Sequence, residues 1–262
     1  MTIGFLKTVS AVLFQAIATA SKGSKSANDT SVELKYKIAD LGTLGGNWSY
    51  AFSINDAGEV LGYSSTRNGA ERTFLWKNGT IADLGTLGSN SRAVDGNNIT
   101  EKMHEGSPAS NVSRETPAFS WNNGMMLDLS SLDGSDSVAN DMNQAGHMVG
   151  YSSHSTSSHS ASYHAFLWAD GSAIDLGTLG GNYSKAYSIN NAGQVVGESL
   201  TSSASLHAFW WNNGKMFDLN HLLPPNSGWI LNQALSINNR GQIVGRGTFN
   251  GQDRAFLLTP QH

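Results

Sequence analysis

No cysteine occurs among the 262 residues, so neither a disulfide framework nor a thiolate zinc site can hold this chain together. Charge is sparse as well. Asp, Glu, Lys and Arg make up 14% of the residues, the net charge is -4, and Lys and Arg form no run. That removes the electrostatic footprint expected of a nucleic-acid binder or of a protein seated on an anionic membrane. No stretch reaches the roughly 20 consecutive apolar residues that a transmembrane helix needs. The patterns Gly-x-Ser-x-Gly and His-Glu-x-x-His and a Gly-rich phosphate loop are missing too, and nothing calls for a cofactor. With 5 Pro, 29 Gly and 39% hydrophobic residues, the composition suits a turn-rich all-β protein whose stability comes from its core and its backbone ladder.

Near the start, Lys7 precedes the apolar stretch Val9 to Ala18, and the small-residue triplet Ala18-Thr19-Ala20 follows. This predicts a signal peptide over residues 1–20, a polar, aperiodic leader over 21–32, and one folded domain over 33–260. A secreted, extracellular or periplasmic protein is expected.

The domain is repetitive. DLGTLGG begins at Asp40, returns as DLGTLGS at Asp83 and intact at Asp175, and has looser copies in DLSSLDG at Asp128 and DLNHLLP at Asp218. The starts lie 43, 45, 47 and 43 residues apart, the period of a four-stranded propeller blade. Each copy predicts four strands, a to d. Strand a alternates small and large side chains, as in Ala51-Phe52-Ser53-Ile54. The a–b link carries Gly58, Gly146, Gly193 or Gly241, and the c–d link is Asn78-Gly79, Asn123-Gly124, Asp170-Gly171 or Asn213-Gly214, strong hairpin signals. In the second copy Thr100 stands where the a–b glycine is expected.

Residues Glu33 to Leu41 read as a lone d strand ahead of the first copy, and the last copy stops after its c strand, Arg254 to Leu258. The expected fold is therefore a five-bladed all-β propeller of four-stranded antiparallel blades, closed by the N-terminal strand pairing with the last blade. An open β-solenoid is the alternative.

DLGTLGG, SIN-x-x-G-x-V-x-G and the sequences His164-Ala165-Phe166-Leu167-Trp168 and His207-Ala208-Phe209-Trp210-Trp211 resemble the extracellular HAF repeat family. Arg72-Thr73-Phe74, Pro117-Ala118-Phe119 and Arg254-Ala255-Phe256 are degenerate versions of the same motif. The similarity covers about residues 35–260 and implies secretion rather than any common activity.

Features shared by all copies belong to the fold: the five Asp residues are expected to accept backbone N–H bonds at the d-to-a corner. Features unique to one copy fall in the b–c and d–a connections, which share a rim. There Trp48, Tyr183 and Trp229 are the ligand-binding candidates, since an exposed ring can stack on a sugar or a partner protein. His154, His159 and His164 are weak metal candidates around a Ser-rich loop. Ser53, Asp95, Asp141, Ser188 and Ser236 share one position of strand a. If that position faced a cavity, Asp95 and Asp141 could supply the paired carboxylates of a carbohydrate-active hydrolase or lyase. The leading expectation is a monomeric, non-catalytic module binding a glycan, surface polymer or extracellular protein; a purely structural envelope or matrix protein is the third reading.

Overall fold

Asn-Gly and Asp-Gly links set the first level of structure. In the computed structural model, which describes residues 35–84, 119–122, 125–128, 137–154 and 162–261, the three c–d links among the described residues are tight turns with both central residues at positive φ, Asn123-Gly124 lying outside them. Asn78 and Gly79 lie at 50° and 83°, Asp170 and Gly171 at 51° and 80°, and Asn213 and Gly214 at 49° and 81°. Those are the angles of a type I′ turn, whose twist matches the strands it joins. The expected signal peptide and leader, Asp95, His159 and the atypical turn at Thr100 all lie outside the described residues.

A single strand, β1 (Lys35–Asp40), precedes the first repeat. That repeat forms β2 (Gly45–Ile54), β3 (Val60–Thr66), β4 (Glu71–Lys77) and β5 (Thr80–Asp83). The second contributes the hairpin β6 (Phe119–Asn122) and β7 (Met125–Asp128). The third forms β8 (Ser137–Met142), β9 (Met148–His154), β10 (Ser162–Ala169) and β11 (Ser172–Asp175). The fourth forms β12 (Gly180–Ile189), β13 (Val195–Thr201), β14 (Leu206–Asn212) and β15 (Lys215–Asp218). After a 3₁₀ turn at Leu219–Leu222, the last repeat supplies β16 (Trp229–Ile237), β17 (Ile243–Phe249) and β18 (Gln252–Gln261).

Among the described residues the result is all-β: four antiparallel sheets of four strands each and one two-stranded sheet. The sheet of the last repeat takes its fourth strand from the other end of the domain, because β1 pairs with β18 from Lys35↔Gln261 to Asp40↔Phe256. One register recurs wherever strands c and d meet. Phe74 pairs with Asp83, Phe119 with Asp128, Phe166 with Asp175, Phe209 with Asp218, and Phe256 with Asp40. The N-terminal strand thus occupies, in the last sheet, the place that the d strand holds in the others.

Sheets pack face to face in the order third, fourth, fifth, first. Val149 and Leu167 of the third meet Ala186, Val195 and Phe209 of the fourth. Val196 and Trp210 of the fourth meet Leu231, Ile243 and Phe256 of the fifth. Val244 and Leu257 of the fifth meet Ala51, Val60 and Phe74 of the first. The rings of Phe74, Phe209 and Phe256 are fully buried, and each such ring contributes roughly 1.5 to 3 kcal/mol.

Backbone proximity explains the glycine in the middle of strand b. A Cβ added at Gly197 would lie 1.9 Å from the Lys185 carbonyl oxygen and 2.7 Å from the Phe209 ring. At Gly245 it would lie 2.0 Å from the Gln233 carbonyl oxygen, and at Gly150 1.8 Å from that of Val138. Only a hydrogen fits there. The carbonyl crowding it comes from strand a, which carries a bulge in each four-stranded sheet, between Ala51 and Ser53, Ala139 and Asp141, Ala186 and Ser188, and Ala234 and Ser236. A bulge re-aims one side chain, here Phe52, Asn140, Tyr187 or Leu235.

Candidate functional site

The most repetitive polar residues build joints. Asp40, Asp175 and Asp218 each accept a hydrogen bond at Oδ1 from the backbone N–H two residues on, at 2.9, 2.7 and 2.9 Å. The other oxygen reaches strand c. Asp175 Oδ2 lies 2.8 Å from His164 Nδ1, Asp218 Oδ2 lies 2.6 Å from His207 Nδ1, and Asp40 Oδ2 lies 3.6 Å from Arg254 Nε. The first residue of the His-Ala-Phe phrase and the Asp of DLG are therefore two halves of one corner, repeated from sheet to sheet. His164 belongs to such a corner, and among the described residues no three His, Asp or Glu side chains gather closely enough to hold a metal ion.

Asp141 is a joint of another kind. Its Oδ2 accepts hydrogen bonds from Ser188 Oγ at 2.8 Å and from the Ile189 N–H at 2.9 Å, and its Oδ1 accepts from the Met142 N–H at 2.7 Å. Ser188 in turn accepts from the Ile237 N–H, and Ser236 from the Ile54 N–H, both at 3.4 Å. This position of strand a ties each sheet to the backbone of the next. Its shared Ser or Asp character follows from that task.

The aromatic candidates separate by environment. Trp229 stacks on Phe249, with ring centroids 4.8 Å apart and planes 19° apart, and packs beside the fifth-repeat core. Trp48 stacks at 5.9 Å on Tyr50, which meets Tyr63 at 5.3 Å. Tyr183 joins a polar cluster. Its hydroxyl donates to Glu198 Oε1 at 2.6 Å, while the Gln233 side-chain amide donates to Glu198 Oε2. Glu198 is only 3% exposed.

Around this carboxyl stand Tyr151 and Tyr163 from the third repeat, Tyr183, Lys185 and Tyr187 from the fourth, and Gln233 from the fifth. The Lys185 ammonium lies 4.1 Å from the centre of the Tyr151 ring, 5.4 Å from that of Tyr163 and 5.5 Å from that of Tyr183. Tyr151 and Tyr163 meet edge to face at 5.5 Å. Burial pushes the Tyr183 hydroxyl well above the ordinary tyrosine range, and its hydrogen bond to Glu198 adds to that. The same holds for Tyr187, where burial comes first and the charge and hydrogen bond of Glu198 follow. Burial raises Tyr151 too. Raised in this way, Tyr151, Tyr183 and Tyr187 stay protonated at neutral pH, so their hydroxyls can donate as well as accept.

Of this cluster the sequence pointed to Tyr183 alone. A signal for Glu198 was nonetheless present. Aligned on the strand b glycine, the next residue is Tyr63, Tyr151, Glu198 or Arg246, so one repeat carries an acid at an interior strand position where acids are rare. A separate open hollow of about 570 Å³ lies on the fourth repeat, lined in part by Thr201, Ser203, His207, Phe217 and His221.

Architecture and site together define an all-β protein built of repeated four-stranded sheets joined in series. No family model matches the chain, and no curated protein matches it. Among solved structures it is similar to a gluconolactonase from Xanthomonas campestris, at 11% identity over 90% of this chain and 94% of that one, with a TM-score of 0.32. It is also similar to the β-propeller domain of the Trilobed protease from Pyrococcus furiosus, at 10% identity over 79% and 68%, TM-score 0.35. TolB from Acinetobacter baumannii gives 16% identity over 81% and 55%, TM-score 0.30. At such values the likeness carries nothing about activity, and the architecture rests on the pairings and joints described above. Among the described residues no helix is long and apolar enough to cross a membrane.

Proposed function

We propose that this chain is an exported, five-bladed repeat propeller of the HAF type, and that it acts as a non-catalytic binding module whose ligand is a glycan. Two observations support the five-bladed ring. The c–d register Phe↔Asp recurs in all five repeats, and the contacts that join third to fourth and fourth to fifth also join fifth to first. A linear stack would not bring its last repeat onto its first.

The observation that carries the binding role is the cluster of half-exposed Tyr151, Tyr163 and Tyr183 around the Lys185 ammonium, beside the buried Glu198. Aromatic faces next to hydrogen-bonding hydroxyls are the chemistry that holds a sugar ring: the apolar face stacks and the hydroxyl rim bonds. Rigid strands from three repeats position these groups, so little order has to be gained on binding. A hydrolytic role through Asp141 is not favoured, because both of its carboxyl oxygens already accept hydrogen bonds from the chain.

A glycan array followed by calorimetry tests the reading. The intact protein should bind a defined subset of glycans saturably, and Tyr151→Ala with Tyr163→Ala should weaken that binding about tenfold or more while the circular dichroism spectrum is kept. Absence of any saturable glycan ligand would leave the structural-component reading in its place.

A further inference from the structure

Lys185 and Glu198 face each other across the β12–β13 ladder, a placement that invites an ion pair. The pair does not form. Glu198 takes its hydrogen bonds from neutral groups, Tyr183 and Gln233, and the Lys185 ammonium lies over the Tyr151 ring instead. Among the described residues Lys185 makes no hydrogen bond and no ion pair, so its three N–H donors are open to water or to a ligand. The aromatic contact holds the head of an otherwise flexible side chain in place. In the other four-stranded sheets this position of strand a is Tyr50, Val138 or Gln233, so among the described four-stranded sheets Lys185 alone places a cation there.

We propose that Lys185 is the recognition element for a carboxylate, and that the ligand of this site is an acidic polysaccharide whose uronate residue stacks on Tyr151 and Tyr163 while its carboxylate meets the Lys185 ammonium. This deepens the glycan-binding reading and rests on it. A single ammonium matches one monovalent carboxylate, in a charge-assisted hydrogen bond. The Glu198 carboxyl nearby disfavours a doubly charged phosphate more than a monovalent carboxylate. Tyrosine hydroxyls at the rim supply the remaining contacts to sugar hydroxyls.

The test is calorimetry on the full chain with oligogalacturonate, and with the same oligomers after reduction of their carboxylates to primary alcohols. Wild type should bind the uronate about tenfold or more tightly than the reduced form, and added salt should narrow the gap. Lys185→Met should remove that preference, so that the uronate and the reduced oligomer bind alike, and Lys185→Arg should restore most of it. Equal binding of the two oligomers by wild type overturns the carboxylate assignment and leaves the glycan site standing. Binding of neither oligomer, with neutral glycans bound elsewhere on the array, also overturns it. No glycan bound at all removes the underlying reading. Should Lys185→Met fail to fold, the wild-type comparison of the two oligomers still decides.

Discussion

Asn238, in the last repeat, donates a hydrogen bond from Nδ2 to the backbone carbonyl of Asn55 in the first, 183 residues away, at 3.0 Å. Asn190 does the same to Asn238 at 3.1 Å, and Asn143 to Asn190 at 3.2 Å. Meanwhile Oδ1 of Asn143, Asn190 and Asn238 accepts from backbone N–H groups two and four residues on, fixing its own a–b turn. One side chain therefore shapes a turn and fastens it to the next sheet. The joint between the end of the domain and its beginning is made as the internal joints are.

Asn238→Ala should lower stability by about 1 to 3 kcal/mol, because it removes the bond that fastens the last repeat to the Asn55 carbonyl and unties its own turn. Asn190→Ala, at an internal joint, should cost about the same. Urea denaturation followed by tryptophan fluorescence measures both; a neutral Asn238→Ala beside a costly Asn190→Ala would show that the end-to-beginning joint contributes nothing in solution.

Tyr36 sits on the N-terminal strand, 1% exposed within the core of the last sheet. Tyr36→Ala should cost about 3 to 5 kcal/mol, the range for emptying a large aromatic site. The loss should show as a lowered thermal midpoint of the whole domain, not as a separate early transition, since this strand completes a sheet made of both chain ends.

The same tyrosine predicts an alkaline limit. Burial raises its ionisation far above the free value near 10. Folding thus favours the protonated form, and the contribution is complete below pH 10 and lost as the pH rises from there toward the folded-state value. Partly buried Tyr183 and Tyr187 add in the same direction. Stability measured from pH 9 to 11 should fall, and Tyr36→Phe should make the fall shallower; an unchanged slope would mean that Tyr36 is solvated in the folded state.

Gly197→Ala should destabilise by about 3 kcal/mol or more, because the new methyl collides with the Lys185 carbonyl and the Phe209 ring. Gly171→Ala meets nothing within 4 Å but keeps a φ of +80°, so its cost should be about 1 to 2 kcal/mol. Thermal unfolding of the two variants ranks crowding against backbone strain, and the reverse order would contradict the close approach of strands a and b.

Asp141→Ala should cost about 1 to 3 kcal/mol by orphaning the Ile189 N–H and the Ser188 hydroxyl. Its effect belongs in the thermal midpoint. Polysaccharide turnover that vanished in Asp141→Asn while the midpoint held would restore the hydrolase reading.

Much of the fold was legible because turns are local. Asn-Gly and Asp-Gly dictate type I′ hairpins whatever lies around them, and the recurring Asp of DLG marks a corner it closes with its own backbone. The bulges in strand a were not legible. Alternation of small and large residues continues through Ala186-Tyr187-Ser188 as if the pleat were regular, and only the opposing strand reveals the extra residue. The candidate site was harder still. Tyr183 could be singled out by its place in the repeat phrase, but Tyr151, Tyr163, Glu198 and Gln233 come from three repeats and acquire meaning only when those repeats touch.

What this sequence determined by itself is the unit: its four strands, its turns, the Phe↔Asp register and the need for neighbours to cover two apolar faces. Turn conformation and pleat are set by φ, ψ and side-chain alternation within a few residues. Which unit lies against which, and so where Lys185 is held apart from the carboxyl across from it, was decided by tertiary structure. The reason is physical: the position of that ammonium depends on rings and amides contributed by neighbouring sheets, and no local pattern encodes a contact made between residues that far apart along the chain.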